Sequence, residues 1–221
     1  MAFNVAIDGP AGAGKSTIAK SVAADLNFIY VDTGAMYRAI ALYLIRNGIT
    51  ADENARISER CKEAKVSIQY ADGKQVVLLN GEDVNPYIRT EEVGNMASAS
   101  STNPDVRAQL LDLQRELAAN NDVIMDGRDI GTNILPNAQV KIYLTASIEV
   151  RAKRRYNELI AKGMDCDLAE IEKDIAERDH RDMNREIAPL KQAEDAVFLD
   201  TSDMSIEEVK SAIVELIRSR Q

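Results

Sequence analysis

The sequence predicts an α/β fold, a parallel sheet flanked by helices on both faces. Three observations lead there. Short apolar runs of four to six residues alternate with longer stretches of helical periodicity. The chain has 221 residues, 45% hydrophobic and 29% charged, enough for one core of useful size. No apolar run approaches the ~18 residues of a membrane span.

The elements follow in order. Residues 3–8 form an apolar run ending in Gly9-Pro10 and read as a buried strand. Lys15–Leu26 has helical spacing, 28–31 is a second strand, and 35–45 is a helix stopped by Gly48. Residues 52–65 read as an amphipathic helix. The runs 66–70 and 75–79 flank Ala71-Asp72-Gly73-Lys74, a hairpin signal because Asp-Gly tolerates the positive φ of a tight turn. Pro104–Asn120 is a helix with proline in its first turn. Residues 123–126 and 140–144 are further strands, Ile148–Ala161 and 168–185 are long helices, 196–199 is a last strand, and 205–218 a closing helix. The hairpin breaks the alternation, so an insert is expected over about residues 60–95 of an otherwise single domain, 1–221.

Composition narrows the function. The net charge of −9 excludes loose binding to nucleic acid or an anionic membrane through a global field, so any anionic ligand needs a local cluster of donors. Cys61 and Cys166 lie far apart without a C-x-x-C, against a disulfide scaffold or zinc site. One histidine, His180, excludes multi-histidine metal sites and reads as a surface helix residue. Met1-Ala2-Phe3-Asn4 lacks the basic start of a secretory leader, so a reduced, cytoplasmic setting is expected.

Gly9-Pro10-Ala11-Gly12-Ala13-Gly14-Lys15-Ser16, followed by Thr17, matches G-x-x-x-x-G-K-[ST] between a strand and a helix. Its glycines let consecutive N–H groups face inward, and the helix start adds partial positive charge. Lys15 is placed to reach the β- and γ-phosphates of ATP, and Ser16 to ligate Mg²⁺. Asp126, closing an apolar strand, is the second metal candidate. The structural alternatives are a bare glycine turn and a capping aspartate. No Asn-Lys pair supplies a guanine reader, which disfavours a GTPase. A kinase needs donors for a second, anionic substrate. Arg38 follows Tyr37, Arg128 lies just past a strand end, and Arg178, Arg181 and Arg185 recur at helical spacing. Taken singly, Arg178, Asp182 and Arg185 also fit an exposed ion-pair stripe.

Four blocks together resemble bacterial cytidylate kinases: residues 9–17, Asp32-Thr33-Gly34-Ala35-Met36-Tyr37-Arg38, Asp126-Gly127-Arg128-Asp129-Ile130-Gly131-Thr132, and the run 177–185. The likeness covers about residues 3–217, and Ile88-Arg89-Thr90-Glu91-Glu92-Val93 also matches. It implies a phosphate-loop nucleoside-monophosphate kinase that moves the γ-phosphoryl group of ATP to CMP or dCMP. By resemblance, Arg38 and Arg128 grip the acceptor phosphate, with Tyr37 and Gly127 lining that site. Ser98, Arg107 and Asp129 read the cytosine edge, helped by Arg185 and Thr33. Arg178 and Asp182 face the sugar. A short lid is implied over about 161–178, whose closure brings Arg178 and Arg181 over the phosphates. Where relatives often carry Ser and Gly, this chain has Thr33 and Ser16.

The chemistry agrees. Cytosine offers an N4 donor beside N3 and O2 acceptors, which an aspartate and an arginine complement; uracil reverses that pattern. Acceptor phosphate oxygens are already ionised, so alignment and charge neutralisation by Lys15, Mg²⁺ and the arginines replace a general base. The expected partners are ATP and CMP or dCMP, with no nucleic acid or membrane, acting as a monomer. Two rivals stand beside this reading: a kinase for another small metabolite such as shikimate, and a non-catalytic nucleotide-binding regulator.

Overall fold

The computed structural model describes residues 2–71 and 73–221. A five-stranded sheet in the order β2-β6-β1-β7-β8 is parallel throughout. Its strands are β1 (Asn4–Asp8), β2 (Ile29–Asp32), β6 (Val123–Gly127), β7 (Val140–Thr145) and β8 (Val197–Asp200). The helices are α1 (Lys15–Leu26), α2 (Thr33–Arg46), α3 (Asn54–Arg60), α4 (Glu91–Ser100), α5 (Pro104–Asn120), α6 (Ile148–Ala161), α7 (Leu168–Asn184) and α8 (Ile206–Arg218). A separate antiparallel sheet holds β3 (Val66–Ala71), β4 (Lys74–Leu79) and the two-residue β5 (Glu82–Asp83). The fold class read from the alternation is the one observed. Asp72, part of the hairpin signal, lies outside the described residues.

The near-continuous apolar strands fill both faces. Val123 and Met125 enter one core layer, beneath α2, α4 and α5, while Ile124 enters the other, beneath α1 and α8. Two apolar layers are what a doubly covered parallel sheet requires. Leu79 and Val77 of β4 join the first layer beside Ile40 and Leu44 of α2, so the small sheet rests on α2.

Several boundaries differ from expectation. The helix expected over 52–65 divides into α3 and a single 3₁₀ turn, Cys61–Glu63. Ile57, Cys61 and Ala64, at the i, i+4 and i+7 positions of one face, are all fully buried, and the last turn of that segment tightens to 3₁₀. Helix α2 starts two residues early because the Asp32 carboxylate accepts from Ala35 N at 2.9 Å. Helix α4, not expected, is started by Thr90, whose side chain accepts from Val93 N. Its buried face is built of Val93, Gly94, Met96, Ala97 and Ser100, too small to make a strong periodic signal. A π-helical turn, Ile130–Ile134, follows β6. Among the described residues, no helix is long and apolar enough to cross a membrane. Both cysteines are free thiols.

Candidate active site

The ends of β1, β2 and β6 open on one cleft of about 680 Å³. Ten basic and five acidic side chains line it, a local positive excess in a chain of net charge −9. That excess is the local donor cluster an anionic ligand demands.

One wall is main chain. The loop from Gly9 leaves β1, and Gly14 stands at the N-cap of α1 with φ 91°, a conformation that glycine adopts without strain. No side chain caps α1, so its first N–H groups face the loop's concavity. Residues 11–17 line the cleft; Gly9 and Pro10 shape the loop from behind. Lys15 is buried, its Nζ donating to Pro10 O at 2.7 Å. Burial, reinforced by the Arg128 charge, lowers its pKa to about 7, against the pull of Asp126 and Asp8. Helix α6 braces the loop from outside. Arg151 donates to Ala11 O (3.0 Å) and Ala146 O (2.8 Å) and pairs with buried Asp179 at 2.6 Å. Arg154 donates to Thr201 O at 2.9 Å and Ala13 O at 3.5 Å. These two arginines serve the loop's carbonyls; Arg155 pairs with its helix neighbour Glu158.

The cleft floor holds the metal candidates side by side. Ser16 Oγ donates to Asp126 Oδ2 at 2.8 Å, and the Tyr30 hydroxyl donates to Asp126 Oδ1 at 2.8 Å. Burial, then the nearby Asp32 charge, raises the Asp126 carboxyl to about 6. One hydroxyl and one carboxylate, both hard oxygen donors, fit Mg²⁺, which takes one or two protein ligands plus substrate phosphates. Among the described residues, no group of three or more His, Cys, Asp or Glu side chains forms a protein-only metal cage.

The other wall is side chain, drawn from α2, α4, α5, the turn after β6 and the end of α7. Buried Asp129 accepts from Arg107 Nη2 and from Arg185 Nη2 at 3.1 Å, and Asn133 Nδ2 reaches it at 3.1 Å. Arg107 also lies 5.8 Å from the Tyr37 ring centre. Arg128 Nε donates to Asp182 Oδ2 at 2.9 Å. Burial works against the ionised Asp182, yet Arg128 with Arg178 and Arg185 holds its carboxyl below the ordinary range. Thr33 Oγ1 donates to Asp126 O at 2.8 Å, tying the start of α2 to β6 beside Gly127. Arg38 Nη1 donates to Ile88 O at 3.2 Å, and a Cβ at Gly94 would stand 2.9 Å from that nitrogen. Ser98 lines the same wall.

On this wall the buried Tyr37 hydroxyl and Arg178 Nε have no protein partner among the described residues. An unpaired buried donor carries a desolvation cost of about 1–3 kcal/mol, which a ligand acceptor removes. Burial, with Arg128 close by, lowers Arg178 to about 10.

Of the sequence-derived residues, the structure brings nearly all to this cleft. Arg178, Asp182 and Arg185 are not an exposed stripe: Asp182 is buried under Arg128, and Arg185 pairs with Asp129. Arg181 is the exception. It is exposed and does not line the cleft with Arg178, Asp182 and Arg185. Residues that sequence reasoning passed over also stand here. Arg89 pairs with Asp32 at 2.6 Å beside Arg38. Asp8 accepts from Ile130 N (2.8 Å) and Gly131 N (2.7 Å), fixing the turn that carries Arg128 and Asp129. Burial raises its carboxyl to about 6. Ser101 faces Arg185 at 3.4 Å. Arg89 had a signal, being basic within a matching block; Asp8 looked like an ordinary strand end.

A phosphate loop facing an arginine-lined acceptor wall, at the carboxyl end of a parallel sheet, defines a phosphate-loop kinase. The family model described as "Cytidylate kinase" matches residues 5–219. A "Cytidylate kinase" of Caldicellulosiruptor bescii is 51% identical over 214 residues, covering 97% of this chain and 95% of that protein. One from Geobacillus sp. (strain WCH70) is 49% identical over 218 residues, covering 99% and 97%. The chain belongs to the cytidylate kinase family. A solved structure of an uncharacterized protein from Eubacterium ventriosum, 13% identical, covers 99% of each chain with a TM-score of 0.53 and shares the fold alone.

Proposed function

We propose that this chain transfers the γ-phosphoryl group of ATP to CMP or dCMP, releasing ADP and CDP or dCDP. The observation that carries the reading is the buried Asp129, held by Arg107 and Arg185 in the cleft that the phosphate loop also lines. An acceptor carboxylate beside a guanidinium donor matches the N4 amino group and the N3 and O2 acceptors of cytosine. Uracil would set O4 against Asp129, a mismatch of roughly 10²–10⁴ in discrimination.

The triphosphate lies along residues 9–17, its oxygens taking N–H groups of the loop and of α1. Lys15 exchanges Pro10 O for phosphate oxygen, and the bound charge keeps its amine protonated. Ser16 and Asp126 would hold Mg²⁺. When bound, Mg²⁺ neutralises charge on the β- and γ-phosphates. Arg38 and Arg128 orient the acceptor phosphate, and Arg178 supplies positive charge where it builds up between the two nucleotides. An acceptor phosphate oxygen forms the new bond to the γ-phosphorus as the bond to the β,γ-bridging oxygen breaks, leaving ADP. Thr33, Tyr37, Ser98 and Gly127 shape the acceptor pocket, and Asp182 faces the sugar.

The region 60–95 covers the acceptor side, and 161–178 acts as the lid. Gly163, with φ 73°, lies in the turn between α6 and α7, and closure there brings Arg181 toward the phosphates and excludes water. The chain works as a cytoplasmic monomer. A coupled assay of ADP release with CMP, dCMP, UMP, AMP and shikimate tests the reading. CMP or dCMP is expected to lead by at least about 10² in kcat/KM; equal turnover of UMP or AMP overturns the cytosine assignment.

A further inference from the structure

The small antiparallel sheet does something specific to the main one. In its hairpin, Val66 stands opposite Leu79, Ile68 opposite Val77, and Tyr70 opposite Gln75. The alternation of side chains puts these three pairs on one face. The first two pairs pack into the core layer shared with α2. The third is polar and falls at the end nearest β2.

Among the described residues, strand β2 is an edge strand, paired only with β6. Its free edge leaves backbone groups at Tyr30 and Asp32 without a neighbouring strand. Those groups are met by side chains. Tyr70 donates its hydroxyl to Tyr30 O at 3.1 Å. The Gln75 amide accepts from Asp32 N at 2.8 Å and donates to Asp32 O at 3.2 Å. A side-chain amide thus forms the two-bond pairing that a neighbouring strand would give. Gln75 O in turn accepts from Asn85 Nδ2 at 3.2 Å, which holds the donor residue from behind.

Asp32 is a junction. Its Oδ1 caps α2, the helix that carries Tyr37 and Arg38, and its Oδ2 holds Arg89. Moving its backbone would move the start of the acceptor wall relative to Asp126. The opposite face of the hairpin presents exposed Ser67 and Gln69 across from half-buried Leu78 and Val76.

We propose that Gln75, supported by Tyr70, is a positioning residue for the acceptor site: the small sheet clasps the edge of β2 and so fixes Asp32 and the N-terminus of α2. The inference rests on the assignment of CMP to that wall. The phosphate loop, residues 9–17, lies between β1 and α1, and among the described residues no hydrogen bond joins it to the hairpin.

The test compares Gln75→Leu and Tyr70→Phe with the unmodified chain by calorimetric binding of CMP and of ATP, with amide hydrogen exchange and thermal melting. For Gln75→Leu, loss of two hydrogen bonds is expected to weaken CMP about tenfold and to leave ATP within about twofold. Exchange at the Asp32 and Ala35 amides is expected to quicken. Tyr70→Phe is expected to show the same pattern, reduced to about threefold. Unchanged CMP affinity and unchanged exchange in Gln75→Leu overturn the proposal, as do equal losses for CMP and ATP. If Gln75→Leu does not fold, Tyr70→Phe decides by the same two criteria. Failure of the unmodified chain to bind CMP rejects the substrate assignment instead, and the exchange measurement still reads the clasp without substrate.

Discussion

The two walls of the cleft are built on opposite plans. The donor wall is a contiguous run, residues 9–17, acting through backbone N–H groups and one buried lysine. The acceptor wall is assembled from five separated elements and acts through side chains that hold each other, Arg107 and Arg185 on Asp129 and Arg128 on Asp182. A main-chain wall takes any triphosphate tail of the right shape. A wall of paired charges is the one proposed to select the base, and each member also stabilises its partner, so removing one leaves a buried charge uncompensated. Selectivity and fragility therefore belong to the same wall.

The contrast can be broken in order of effect. Lys15→Ala removes the donor wall's one charged side chain. Turnover is expected to fall by about 10²–10³ with the melting temperature nearly unchanged, since burial already disfavours that charge; steady-state kinetics and melting check both halves. Arg128→Met strikes the acceptor wall. CMP affinity is expected to fall about 10²-fold and ATP affinity little, with a loss of stability as Asp182 loses its partner. Equal loss for both nucleotides would erase the distinction between the walls. Asp129→Asn is expected to narrow the CMP over UMP preference about tenfold, because an amide can donate to O4. An unchanged ratio removes Asp129 from base reading.

The mildest probe is pH. The Lys15 amine, with its pKa lowered to about 7 by burial and Arg128, loses its proton as pH rises through that value. The value of kcat/KM for ATP in the free chain is expected to fall above about pH 7. The limb in kcat moves higher, because bound phosphate favours the protonated amine. Stability moves the other way. The unfolded lysine keeps its proton up to about 10.5, so the unfolded chain binds more protons between about 7 and 10.5 and stability rises with pH there. In Lys15→Ala the activity limb should vanish and the stability slope should flatten.

The same contrast explains what could be read from sequence. The phosphate loop is local, so its spacing and its strand–helix setting sufficed. The acceptor residues sit on distant segments, and no single arginine among them announced itself; they became legible as blocks in a fixed order. Helix α4 escaped because its buried stripe of Gly94, Ala97 and Ser100 is small. That same smallness lets Arg38 lie against it. Arg181 shared the spacing of Arg178 and Arg185, but on α7 it falls to the side of Arg178 opposite Asp182, where it is exposed and does not line the cleft. Asp8 and Gln75 act on backbone far away in sequence, over separations of 122 and 43 residues, which no local pattern encodes.

The central claim is that one wall holds a triphosphate while the other presents cytosine through Asp129 and Arg107. A crystal structure with CMP and a non-hydrolysable ATP analogue bound together tests it most directly. The account requires the N4 amino group within hydrogen-bond distance of the Asp129 carboxylate and the acceptor phosphate against Arg38 and Arg128, in line with the γ-phosphate on the loop. A pyrimidine bound elsewhere, with Asp129 still enclosed by Arg107 and Arg185 and touching no base, would contradict it.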